Sequence, residues 1–147
     1  MIKFNLAIGL FIFFLAGSGM LAAEVEKADA RTTGYTEQLL KLVNQYRQRH
    51  DLPQLKPDAH LTNLAQEHNR HMAKHGQLSH DGFDDRFQRA HRGSCVENVG
   101  WNYRTAAAQL EAWRGSVSHD VNLLNAEVKR VGIAVHKSYV TFFACAA

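Results

Sequence analysis

Val131-Gly132-Ile133-Ala134-Val135-His136 and Tyr139-Val140-Thr141-Phe142-Phe143-Ala144 are two apolar runs separated only by Lys137-Ser138. Short runs of this kind, flanking a polar pair, read as the two strands of a hairpin, although the turn is not of the favoured Asn-Gly type. Neither run alternates apolar with polar. A near-continuous apolar strand is expected to be covered on both faces. The cover has to come from the rest of the chain.

Upstream of the hairpin the apolar spacing is helical. Leu110 and Trp113 mark a helix from about Thr105 to Arg114, and a short helical piece is expected at Asp84 to Ala90. Leu61, Leu64, Ala65, His68 and Met72 form one stripe of a helix from Ala59 to Lys74, with Gly76 as its stop. Leu39, Leu40, Val43 and Tyr46 predict a first helix from Thr36 to near His50. Pro53 and Pro57 break the chain between these two helices. Helices first, a hairpin last and both sheet faces buried imply helices on two sides of a sheet. No internal repeat is present.

The N-terminus carries the pattern of a secretory signal. Lys3 precedes an apolar run from Leu6 to Leu15, and small residues follow at Ala22 and Ala23. That run is about half the ~20 residues a spanning helix needs. Residues 1–23 are therefore expected to be a signal peptide, 24–34 a flexible leader and 35–147 one domain, not membrane-spanning once the signal is cleaved. The product would be extracellular or periplasmic. Net charge is +3, with Lys and Arg scattered among acids, which gives nucleic-acid binding no support. In an exported chain, Cys95 and Cys145 are expected to form one disulfide.

All nine histidines lie between positions 50 and 136. His68 falls on the apolar stripe of its helix and reads as a hydrogen-bonded core residue; His71 and His75 read as surface. His80 follows the Gly76 stop, in a loop of Ser79, Asp81 and Gly82, where functional groups are commonly held. Glu97 enters an apolar, strand-like stretch and must be paired there. His119 lies past the end of the helix that carries Trp113. Ser116 or Ser118 beside His119 would suit a hydrolase nucleophile, but no G-x-S-x-G elbow is present. Two imidazoles and a carboxylate can bind a divalent metal or move protons. The long separations in sequence mean that only the fold can bring them together.

These residues carry a resemblance. Asn44-Gln45-Tyr46-Arg47 with Leu52-Pro53-Gln54-Leu55, then Leu61-Thr62 to Met72 and Ser79-His80, then Glu97-Asn98-Val99 with Val96 in place of a glycine, run in order along the chain. Trp113, Ser116, His119 and Asn122-Leu123-Leu124 follow, and the closing hairpin completes the set. Together they resemble a CAP-superfamily domain (SCP/TAPS; cysteine-rich secretory protein, antigen 5, pathogenesis-related 1) of the compact bacterial type.

The resemblance implies an α+β fold, a three-layer α-β-α sandwich, with a central cleft. It implies His80, Glu97 and His119 as cleft residues that bind Zn²⁺ or another divalent metal, with Ser116 and Asn98 as neighbours. Ser116 stands where eukaryotic members have a second glutamate, and Asp120 where bacterial relatives usually have arginine. The expected role is a secreted binding or interaction module. A metal-dependent, peptidase-like hydrolase with Glu97 as general base is the alternative, as is a lipid- or sterol-binding protein using Phe83 and Phe87. The implied partners are extracellular protein, lipid or sterol.

Overall fold

The computed structural model describes residues 16–147, and the chain divides into two units, Met1–Arg31 and Thr32–Ala147. Most of the signal-peptide stretch lies outside the described residues. The first helix, α1 (Ala16–Gln48), extends well upstream of the expected Thr36 and covers the stretch read as a leader. No helix among the described residues is long and apolar enough to cross a membrane.

The other elements follow as β1 (Lys56–Pro57), α2 (Ala59–His75), α3 (Phe83–Ala90), β2 (Cys95–Trp101), α4 (Ala106–Arg114), α5 (Val117–Leu123), β3 (Arg130–His136) and β4 (Tyr139–Cys145). Local chemistry sets several boundaries. The Asp58 side chain caps α2 by accepting from Leu61 N, and Gly76 ends it in the left-handed region at φ 66°. Thr105 caps α4 in the same way, accepting from Ala108 N.

The sheet order is β1-β3-β4-β2, with β1 parallel to β3 and the other pairs antiparallel. The closing hairpin is present, with Lys137 of its turn at φ 54°. Every residue of β4 is buried. Alternation along β3 and β4 sends side chains to two different layers. Val131, Ile133, Val140, Phe142 and Ala144 pack with Leu39, Val43, Leu110, Trp113 and Leu123 from α1, α4 and α5. Ala134, Phe143 and Cys145 pack with Leu61, Leu64 and Ala65 of α2 and Ala90 of α3. The result is a three-layer α-β-α sandwich, as the apolar hairpin required.

Gly132 decides how closely α2 sits on the sheet. A Cβ there would collide with the backbone of Leu61 and Thr62. Two polar side chains fix the turn after α1. Asn44 exchanges two bonds with the Leu55 backbone, at 2.8 and 3.0 Å. Buried Arg47 donates to the carbonyls of Pro53, Leu123 and Asn125.

Cys95 and Cys145 are directly opposed on β2 and β4 and form the expected disulfide, closing a separation of 50 residues. The double variant Cys95→Ala/Cys145→Ala should lose roughly 4 kcal/mol of unfolding free energy on the chain-entropy estimate, read from denaturant midpoints.

Candidate functional site

Glu97 points from β2 into the layer formed by α2 and α3, and its side chain is almost wholly buried. An ionised carboxylate removed from water needs a cation and hydrogen bonds. Arg86 of α3 supplies both. Its Nε donates to Oε2 and its Nη2 to Oε1, each at 2.7 Å, in the fork geometry that arginine favours with carboxylates. Arg86 Nη1 donates in turn to the Asp81 carbonyl at 2.8 Å, which ties the His80 loop to the same guanidinium.

His80 Nδ1 lies 2.9 Å from Glu97 Oε1. The carboxylate can only accept, so Nδ1 carries the proton in the neutral ring and the Nε2 lone pair is left outward. Half of the His80 side chain is exposed. His68 Nε2 donates to the Ser79 carbonyl at 2.8 Å and lies 3.7 Å from Glu97 Oε1. It is the hydrogen-bonded core histidine expected, and it also supports the loop that carries His80. His71 and His75 are exposed.

His119 lies past the end of α4, as expected, and within a further short helix, α5, that the apolar spacing did not predict. Two asparagines hold that helix against β2. Asn98 Nδ2 donates to the His119 carbonyl at 2.9 Å, and Asn122 Nδ2 donates to the Glu97 carbonyl at 3.0 Å and to Asn98 Oδ1 at 2.8 Å. The strand that presents Glu97 and the helix that presents His119 are therefore one hydrogen-bonded unit. Tyr46 OH donates to Asp120 Oδ1 at 2.8 Å from the opposite side of α5. Ser116 precedes α5, and its hydroxyl lies 3.2 Å from that of Ser118.

The electrostatics follow from burial and these contacts. Burial pushes the Glu97 pKa up, but the bonds from His80 and Arg86, with the Arg86 charge, outweigh it and hold the group below its ordinary value. Burial lowers the His119 pKa, and the proximity of His80 lowers it further. Burial also lowers that of His68, against the pull of Glu97.

The structure thus joins His80 to Glu97 directly and ties the helix that carries His119 to the strand that carries Glu97. Both Glu97 oxygens accept bonds from Arg86, Oε1 accepts from His80 as well, and the side chain is almost wholly buried, so the carboxylate is turned toward these two partners and away from solvent. Among the described residues, no group of three or more His, Cys, Asp or Glu is arranged to hold a metal ion. Reading the sequence missed Arg86. The available signal was an arginine between Phe83 and Phe87, on the face of α3 that meets the core. Phe83 itself packs edge-on against Phe143, with ring centroids 6.1 Å apart, and Phe87 stacks on Phe83.

The profile of the cysteine-rich secretory protein family, CAP, matches residues 40–146. The chain belongs to the CAP family. The CAP chain is 29% identical over 127 residues to YlbC of Bacillus subtilis (strain 168), described as an uncharacterized membrane protein; the match covers 82% of this chain and 37% of that one. An extracellular SCP-domain protein from Bacillus anthracis str. Ames superposes with a TM-score of 0.74 at 29% identity, over 79% of this chain and 41% of that one. An outer surface protein from Borrelia burgdorferi shares the fold, with a TM-score of 0.70 at 17% identity, over 75% of this chain and 90% of that one. This CAP chain spans less than half the length of the two Bacillus relatives.

Two predictions follow from the charge pair and its neighbours. Arg86→Met leaves a buried carboxylate without its cation and should cost about 3–5 kcal/mol near neutral pH. The penalty should shrink in acid, where unpaired Glu97 takes up a proton; chemical denaturation across pH checks both. In the wild type, the depressed Glu97 contributes stability above its ordinary 4.5 that is lost as pH falls through its folded value. His68 and His119, held neutral below their ordinary 6.5, act in the same direction. The melting temperature should therefore fall on acidification, starting below 6.5 and steepening below 4.5.

Proposed function

We propose that this CAP domain acts outside the cell as a binding module, and that its His80–Glu97–His119 cleft recognises a ligand without a tightly held metal. The observation that supports this reading is the engagement of Glu97. A general base needs an oxygen that substrate or water can reach, and the Glu97 side chain is almost wholly buried. Both Glu97 oxygens accept from Arg86, and the buried pair keeps the carboxylate ionised and fixed. The cleft donors left for a divalent cation are the imidazoles of His80 and His119, fewer than the three or four protein ligands of ordinary zinc sites. Glu97 instead orients His80, as a carboxylate orients an imidazole in many sites. Export is supported by the Cys95–Cys145 disulfide and by relatives described as extracellular or outer-surface proteins.

Calorimetric titration with Zn²⁺ on the oxidised chain tests the reading, beside the His80→Ala/His119→Ala variant. The expected result is no saturable binding in the low-micromolar range for either protein. Tight, saturable binding by the wild type, lost in a variant that still folds, would overturn it and revive the metal-dependent hydrolase.

A further inference from the structure

His71 and His75 stand one turn apart on α2, and both are exposed. Residues four apart on a helix share a face, and a helical side chain leans over the turn before it. The His75 ring therefore lies over His71, with the two ring centroids 4.2 Å apart. His75 Nδ1 donates to the His71 carbonyl at 2.9 Å. A carbonyl only accepts, so Nδ1 carries the proton of the neutral ring and the Nε2 lone pair is free. Histidines that bind metals are held in this way, with one ring nitrogen donating to a carbonyl and the other left for the ion. The His71 ring makes no hydrogen bond to another described residue, so its nitrogens are open as well. The hydrogen bonds that build the cleft use neither ring.

The surroundings favour a cation. His71 lines a cavity of about 240 Å³ together with Glu67, Asp81, Asp85, Arg86 and Arg89. Arg86 is neutralised by Glu97, and Arg89 holds Glu67 at 2.7 Å and Asp85 at 3.3 Å. Three carboxylates set against Arg89 leave two negative charges beside His71. Arg70 and Lys74 each precede one of the histidines, which turns them about 100° away around the helix. Arg70 lies near His136 of β3 instead.

The donor set selects the metal. No further His, Cys, Asp or Glu is arranged as a third ligand among the described residues. Two nitrogens, with the other positions left to water, fall short of the three or four protein ligands of zinc sites. Tetragonal sets of nitrogen and oxygen suit Cu²⁺, which also heads the affinity order of the divalent first-row metals. Both cysteines are locked in the disulfide, so no thiol competes for the ion or reduces it. We propose that His71 and His75 form a surface Cu²⁺ site, a two-nitrogen chelate that spans one turn of α2. The site shares no ligand with the cleft and does not rest on the reading of it.

The test titrates the oxidised full chain with Cu²⁺ alone, followed by calorimetry and electron paramagnetic resonance. One equivalent should bind saturably in the low-micromolar range, with a tetragonal spectrum that shows two imidazole nitrogens. His71→Ala and His75→Ala change exposed residues to the best helix former, so both variants should fold. Each should weaken that equivalent by at least about tenfold, because a chelate becomes a single ligand. The His80→Ala/His119→Ala variant should bind Cu²⁺ as the wild type does. Zn²⁺ should bind the pair at least about tenfold more weakly than Cu²⁺. The chelate needs the helical turn, so Cu²⁺ should also raise the melting temperature of the wild type more than that of either single variant. No saturable Cu²⁺ binding, undiminished binding by either single variant, a preference of the pair for Zn²⁺, or loss of the site in the His80→Ala/His119→Ala variant would each overturn the proposal. The zinc titration of the cleft is a separate measurement, so either reading can fail alone.

Discussion

A single buried charge organises the site layer of this protein. Glu97 stands on a strand whose neighbouring side chains are buried, and its carboxylate cannot remain there without Arg86. Meeting that demand places α3 and fixes the chain between α2 and α3, because the same guanidinium holds the Asp81 carbonyl. His80 is then held by the carboxylate that Arg86 has fixed. One ion pair thus sets the position of a helix, a loop and an exposed imidazole. A buried pair of this kind is weak evidence for stability, since two aliphatic residues of similar volume can do as well. Its retention is better explained by the orientation it imposes on His80.

The opposite wall is organised without charge. Asn98 and Asn122 join α5 to β2 by amide bonds, and Trp113 Nε1 donates to the Val99 carbonyl at 2.9 Å. α5 is short and leaves Val117 and Val121 exposed, so it has little intrinsic reason to be helical. Contacts to the sheet and to Tyr46 hold it. That is why α5 was not legible in the sequence, although the end of α4 before His119 was. The closing hairpin and α2 were legible for the opposite reason: each carries its own pattern and stops, the apolar runs in one and Asp58 and Gly76 in the other.

Other differences have equally local causes. β1 is two residues, both exposed, and a pairing so brief leaves no trace in hydropathy. The upstream part of α1 has no apolar stripe, but its Ala, Glu and Lys residues favour helix, and propensity rather than amphipathic pattern sets its extent. The disulfide was legible from cysteine count and export context alone. The pairing of Glu97 was required by burial, but the identity of its partner was not, because Arg86 reaches it only through the packing of α3.

The amide and indole bonds to β2 have one more consequence. β2 ends the sheet, with β4 on one side only. Terminal strands of this kind recruit other chains through their unpaired backbone groups. The carbonyls of Glu97 and Val99, two residues apart and so on the same side of the strand, are taken by Asn122 and Trp113. The side chains that tie α5 to β2 therefore also close the sheet to further strands, so loosening α5 would put at risk the resistance of the protein to aggregation as well as the placing of His119.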